Sequence, residues 1–134
     1  MRSQARAPDI TAGDVAATIG AEHVRLSYHY LDQADMEGYM SLLDPEARLH
    51  HPGHPVSRGP DEAAAAMESL AYTRGRHRIF KTVSEGDTVA AIGRFTGRAA
   101  PFGNTYETEF VDVFTLSGHG LLLSCRRFCW NGRN

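Results

Sequence analysis

Near residue 76 the spacing of apolar residues switches from the helical period of about 3.6 to the strand period of two, which restricts the chain to few architectures. Before the switch, Thr11 with Asp14 three residues on forms a helix start, and Val15, Ile19, Val24, Tyr28 and Leu31 carry a helical stripe to about Gln33. A second helix is expected over Met36–Leu43, ended by Asp44-Pro45, because proline turns its predecessor away from the helical region. Ala47–His51 reads as a short strand closed by Pro52-Gly53 and Pro55. Gly59-Pro60-Asp61 opens a third helix through the alanines at 63–66 to about Tyr72. After the switch, His77–Ser84, Val89–Gly97, Tyr106–Leu116 and Leu121–Trp130 are rich in β-branched and aromatic residues. Turn signals at Gly86-Asp87, Pro101-Phe102-Gly103-Asn104 and Ser117-Gly118-His119-Gly120 separate them. Helices followed by strands predict an α+β domain, and 134 residues hold one such domain, here 11–134 after a polar, flexible tail at 1–10.

Composition narrows the function classes. Lys plus Arg number 14 against 16 Asp plus Glu, a net charge of −2, so no overall field attracts nucleic acid or anionic lipid. No apolar run approaches the ~18–20 residues that span a bilayer, and Met1–Pro8 lacks the apolar stretch of a secretion signal, so a cytoplasmic location is expected. Cys125 and Cys129 lie four apart on one strand, roughly 13 Å at ~3.3 Å per residue, too far for a disulfide. They read as packing residues.

Alternation in Tyr106–Leu116 puts Tyr106, Thr108, Phe110, Asp112, Phe114 and Leu116 on one face. Asp112 among aromatics has two readings. Without a partner, desolvation raises its pKa and fits it to donate a proton; alternatively, it caps a bulge or forms a structural ion pair with an arginine such as Arg94 or Arg127. In His50-His51-Pro52-Gly53-His54, adjacent strand residues face opposite sides, and His51 shares its face with Leu49, so His51 is the inward imidazole, able to take or give a proton. Because neighbours on a strand diverge, these histidines make a poor metal site. His77 opens a strand among Arg74, Arg76 and Arg78, which form either an anion-binding rim or a solvated turn. Tyr28, Tyr30 and Tyr39 lie at ends of helices that pack on the sheet, so one of them can direct its hydroxyl into a cavity.

The order of elements, with Leu31-Asp32-Gln33-Ala34-Asp35, Leu42-Leu43-Asp44-Pro45-Glu46-Ala47-Arg48-Leu49, Gly59-Pro60-Asp61-Glu62, Glu85-Gly86-Asp87-Thr88-Val89 and Phe110-Val111-Asp112-Val113-Phe114, resembles the SnoaL-like branch of the nuclear transport factor 2-like superfamily. Polyketide cyclases, ketosteroid isomerase and scytalone dehydratase belong to this group. The resemblance covers about residues 12–130 and implies a cone-shaped fold, three N-terminal helices on a strongly curved mixed or antiparallel sheet, with a pocket between them. Asp112 matches the neutral, hydrogen-bond-donating Asp of ketosteroid isomerase, a case well described for that enzyme. His51 matches the isomerase's general base, while Ser27 stands where it has a helix tyrosine, with Tyr28 one step round. His77 and Asp32 match a histidine and a helix-end aspartate of scytalone dehydratase. The Arg-x-Asp pair of the limonene epoxide hydrolase branch is absent from the sequence, which argues against epoxide hydrolysis.

The resulting expectation is a cofactor-independent, metal-free acid/base enzyme of secondary metabolism acting on a hydrophobic carbonyl compound, by cyclisation of a polyketide-like intermediate. Dehydration, double-bond isomerisation or non-catalytic small-molecule binding are the alternatives. Asp112, His51 and His77 are the expected catalytic residues; Tyr28, Asp32, Tyr39, Leu49, Phe110, Phe114 and Arg127 are the expected substrate contacts. Val111 and Val113 with Ile92 or Phe80 leave apolar area on the convex face, where a homodimer is expected to form.

Overall fold

A computed structural model describes residues 11–70, 73–99, 103 and 105–130. The expected tail at 1–10, the helix end at Tyr72, the side chains of Arg74 and Tyr106, and Pro101, Phe102 and Asn104 of the second turn lie outside the described residues. Among the described residues three helices, α1 (Ala12–Asp32), α2 (Met36–Ser41) and α3 (Gly59–Leu70), pack on six strands. These are β1 (Leu43–His50), β2 (Ser57–Arg58), β3 (Thr73–Glu85), β4 (Thr88–Ala99), β5 (Thr105–Leu116) and β6 (Leu122–Trp130). They form one sheet in the order β2-β1-β6-β5-β4-β3. Among the described residues only the β1–β6 pair is parallel, so the sheet is mixed. Curved and not closed into a barrel, it wraps the helices as the resemblance implied. Register shifts in β1, β3 and β5 add twist where the sheet bends.

Helix α1 starts as expected. The Thr11 hydroxyl accepts from the Asp14 N–H at 3.0 Å and the Asp14 carboxylate accepts from the Thr11 N–H at 3.3 Å, a reciprocal cap. Its buried line differs from the expected stripe: Val15 and Ile19 are exposed, and Ala16, Gly20, Val24, Ser27 and Tyr28 face the sheet. Close approach explains the difference, because the Leu116 side chain occupies the space that any β-carbon at Gly20 would need. Small residues set the contact, and the larger Val15 and Ile19 are rotated off it.

The second helix ends at Ser41, two residues earlier than expected, and Pro45 sits inside β1 rather than ending a helix. Parallel pairing with β6 accounts for this. Leu43 registers with Leu122, and the Leu122 N–H donates to the Leu42 carbonyl at 2.9 Å. The register shift between Leu43 and Arg48 accommodates a residue that has no N–H to offer the ladder. Strand β1 stops at His50, so His51 begins the following loop instead of closing the strand.

The core lies where α1, α2 and α3 cover the concave face, around Val24, Tyr39, Leu49, Phe110, Phe114 and Leu122. Leu122 is 2% exposed and joins β6 to the β1 edge and the helices. Leu122→Ala is expected to destabilise by about 2–5 kcal/mol, the usual cost of a leucine-sized cavity. Urea unfolding of the two proteins measures it.

Candidate functional site

Asp112 and Arg127 are register partners on β5 and β6, and both project to the concave side. The Arg127 Nε donates to Asp112 Oδ1 at 2.7 Å and Nη2 donates to Oδ2 at 2.8 Å. From α1, the Tyr28 hydroxyl donates to the same Oδ2 at 2.7 Å. The expectation of an unpartnered, proton-donating Asp112 therefore does not hold: both oxygens are accepting, and the ion pair with Arg127 is the reading the geometry realises. Burial works against the Arg127 charge, but the hydrogen bonds and charge of Asp112 outweigh it and hold the guanidinium above its usual range. Burial, followed by the charges of Asp112 and Cys125, pushes the Tyr28 phenol up, so it stays a donor. Ser27, one step back on the helix, donates to the Val24 carbonyl and takes no part.

Beyond this ion pair the helices no longer fill the concavity, leaving a cavity of about 1060 Å³. Its wall comes from the C-terminal end of α1 with Leu31 and Asp32, from Met67 and Leu70 of α3, and from β3 to β6 with His77, Phe95, Thr108, Arg127 and Trp130; His51 closes one side. His77, Phe95 and Thr108 form one row across three strands by register.

Asp32 and His77 make the tightest polar contact of that wall. His77 Nδ1 lies 2.6 Å from Asp32 Oδ1, and the His77 backbone N–H donates to the same carboxylate at 3.0 Å. Since a carboxylate only accepts, Nδ1 carries a proton, and Nε2 is the ring nitrogen turned away from Asp32. The ring is packed by Tyr28, Phe95 and Phe110, with centroids 5.1, 4.8 and 5.7 Å away. Rotation is thus prevented on two sides, by the carboxylate and by the aromatic cage.

His51 also reaches the cavity, as expected, but in another state. Burial and then the positive Arg127 push its pKa down to about 4. It is therefore neutral at working pH. Its ring meets His54 edge-on, 5.4 Å between centroids.

Of the expected substrate contacts, Asp32 and Arg127 line the cavity. Tyr28, Tyr39, Leu49, Phe110 and Phe114 do not; they are buried core residues, and Asp112 lies behind Arg127. The helices pack directly on that part of the sheet, which alternation alone does not reveal. Sequence reasoning missed Met67, Phe95, Thr108 and Trp130; the concave parity of Thr108 was the one available signal. Cys125 and Cys129 are unpaired, and burial raises the Cys125 thiol. Among the described residues no three His, Cys, Asp or Glu converge as metal ligands, and no helix is long and apolar enough to cross a membrane.

A mixed, strongly curved sheet with three helices on its concave side and a cavity at one end is the nuclear transport factor 2-like fold. The chain belongs to the SnoaL-like domain family, whose model matches residues 24–123. A nuclear transport factor 2-like protein of unknown function from Burkholderia pseudomallei superposes with a TM-score of 0.76 at 20% identity, over 84% of this chain and 92% of that one. A SnoaL-like polyketide cyclase candidate from a Jannaschia species gives 0.76 at 22%, over 95% and 91%. SalBIII, an epoxide hydrolase/cyclase-like enzyme in pyran ring formation in the polyether salinomycin, gives 0.76 at 19%, over 84% and 92%. At these identities the likeness is one of fold. No curated protein matches the sequence at a significant level.

The depressed His51 pKa makes a prediction about stability. Between its ordinary value of 6.5 and about 4, the unfolded chain binds a proton that the folded chain does not. Stability from this residue is fully present above pH 6.5 and is lost as pH falls towards 4. Melting temperature against pH is expected to fall less steeply across that window in His51→Asn than in the parent.

Proposed function

We propose that this protein is an acid/base enzyme, needing neither cofactor nor metal, that removes a proton next to a carbonyl of an apolar substrate, with His77 as base and Asp32 orienting it. The observation that carries this reading is the 2.6 Å contact between His77 Nδ1 and Asp32 in the wall of the cavity. Nε2 takes the proton from the carbon, the C–H electron pair forms a C=C bond, and the carbonyl π pair moves to oxygen. If the enolate carbon attacks a second carbonyl of the same molecule, a C–C bond closes a ring and the new alkoxide recovers the proton from Nε2. Cyclisation of a polyketide-type compound in secondary metabolism is the favoured outcome, and neighbours named for polyketide cyclisation and ring formation support it. Loss of water from a β-hydroxy ketone uses the same base. Epoxide opening, the other chemistry in those names, is disfavoured by the missing Arg-x-Asp pair.

Exchange of the α-hydrogens of 2-tetralone in deuterium oxide, followed by proton resonance, tests the base. His77→Ala is expected to slow it by ~10²–10⁴, with Asp32→Asn intermediate. Exchange in His77→Ala equal to that of the parent removes His77 from the reaction and favours a non-catalytic binding role.

We propose also that two copies pair through the convex face. Ile92 stands opposite Val111 there, beside the exposed Phe80 and Phe128. Light scattering is expected to give twice the chain mass at micromolar concentration, and Phe128→Glu is expected to shift it to the monomer.

A further inference from the structure

We infer that Nη1 of Arg127 is the donor that receives the substrate oxygen as it becomes negative, so that the cavity selects apolar compounds carrying an enolate-like or phenolate-like oxygen. This inference rests on the acid/base reading of His77 and names the group that completes it.

A guanidinium is a rigid planar fork of five N–H groups. In Arg127, Nε and Nη2 both face Asp112, at 2.7 and 2.8 Å, so Nη1 projects from the opposite side. No acceptor among the described residues meets Nη1. Its side chain is only 11% exposed, and the residue lines the cavity. Buried N–H groups without an acceptor are costly, and a ligand oxygen at this point relieves that cost.

Location ties the donor to the base. The Arg127 Cζ lies 4.1 Å from the Phe110 ring centroid, and the His77 ring lies 5.7 Å from the same centroid. Donor and base therefore flank one aromatic ring, within the span of a single small molecule. Asp112 balances the arginine charge, so the pair holds no net charge that would demand a pre-existing anion. What it offers is a fixed dipole aimed at the place where charge develops, the arrangement that stabilises an oxyanion without reorganisation. Asp112 and Tyr28 act through Arg127 and are positioning residues. A carboxylate that accepts from three donors cannot itself serve the oxyanion, so the role expected for the Asp112 carboxyl passes to its partner.

Binding of 2-naphthol tests the assignment without breaking a C–H bond, the O–H proton passing to solvent. The probe absorbs differently as phenol and phenolate, and 2-methoxynaphthalene is its neutral counterpart. The parent is expected to bind naphthol as the phenolate at pH values where free naphthol is un-ionised, and at least about tenfold tighter than the ether. The double variant Asp112→Leu/Arg127→Met replaces the buried pair with apolar groups and strands no charge. It is expected to lose the phenolate signature and the preference for naphthol over the ether. Arg127→Lys, whose unforked ammonium cannot serve both Asp112 and the cavity, is expected to lose most of that signature and covers the case of a double variant that does not fold. Naphthol bound un-ionised by the parent, or a phenolate signature retained in either variant, overturns the inference. Exchange of 2-tetralone read in parallel separates the two claims: exchange without phenolate binding removes the Arg127 role alone, and phenolate binding without exchange removes the His77 role alone.

Discussion

The three-way contact of Asp112, Arg127 and Tyr28 joins elements that are distant in sequence: α1, β5 and β6. Breaking a buried pair of this kind by removing one partner costs about 3–5 kcal/mol, because the remaining charge is left in a medium that cannot solvate it. The contact therefore fixes more than stability. It sets the rotation of α1 that brings Tyr28 inward, and it holds the guanidinium carbon 4.1 Å from the Phe110 ring centroid. A shift of one residue in the β5–β6 register would put Arg127 on the outer face and open the whole arrangement.

The ion pair also divides the concavity. On one side the helices press into the sheet, and Tyr39, Leu49 and Phe114 fill it as solid core. On the other, α1 ends at Asp32 and the wall passes to α3 and the far parts of the strands, leaving room for a ligand. Asp32 stands at this boundary because it is the last residue of α1, and there it meets His77 early in β3. The two cavity histidines have opposite neighbours: His77 lies against the Asp32 carboxylate, whereas burial and the positive Arg127 keep His51 neutral.

Much of this was legible in the residues. The period switch near 76, the Thr11 cap and the alternation of Tyr106–Leu116 depend on neighbours a few positions away, and they correctly located three helices, the long strands and the inward face of Asp112. Errors arose where a distant partner decided. Pro45 reads as a helix terminator until β6 lies beside it, and Val15 and Ile19 read as core until Leu116 claims the groove at Gly20. The candidate site shared this limit. His51 and His77 could be selected as histidines near strand ends, and Asp32 by resemblance, yet nothing local joined Asp32 to a residue 45 positions later.

Chain order and hydrophobic period thus determined by themselves the α+β class, the order of elements and the side of the sheet on which Asp112 points, because each follows from covalent spacing and backbone geometry. Only the tertiary structure decided that Asp112 is held by Arg127 rather than Arg94, that His77 meets Asp32 in the cavity wall, and that the cavity lies beyond the aromatic core instead of within it. Those outcomes depend on strand register and on how closely helices approach the sheet, which arise from contacts between residues far apart in the chain.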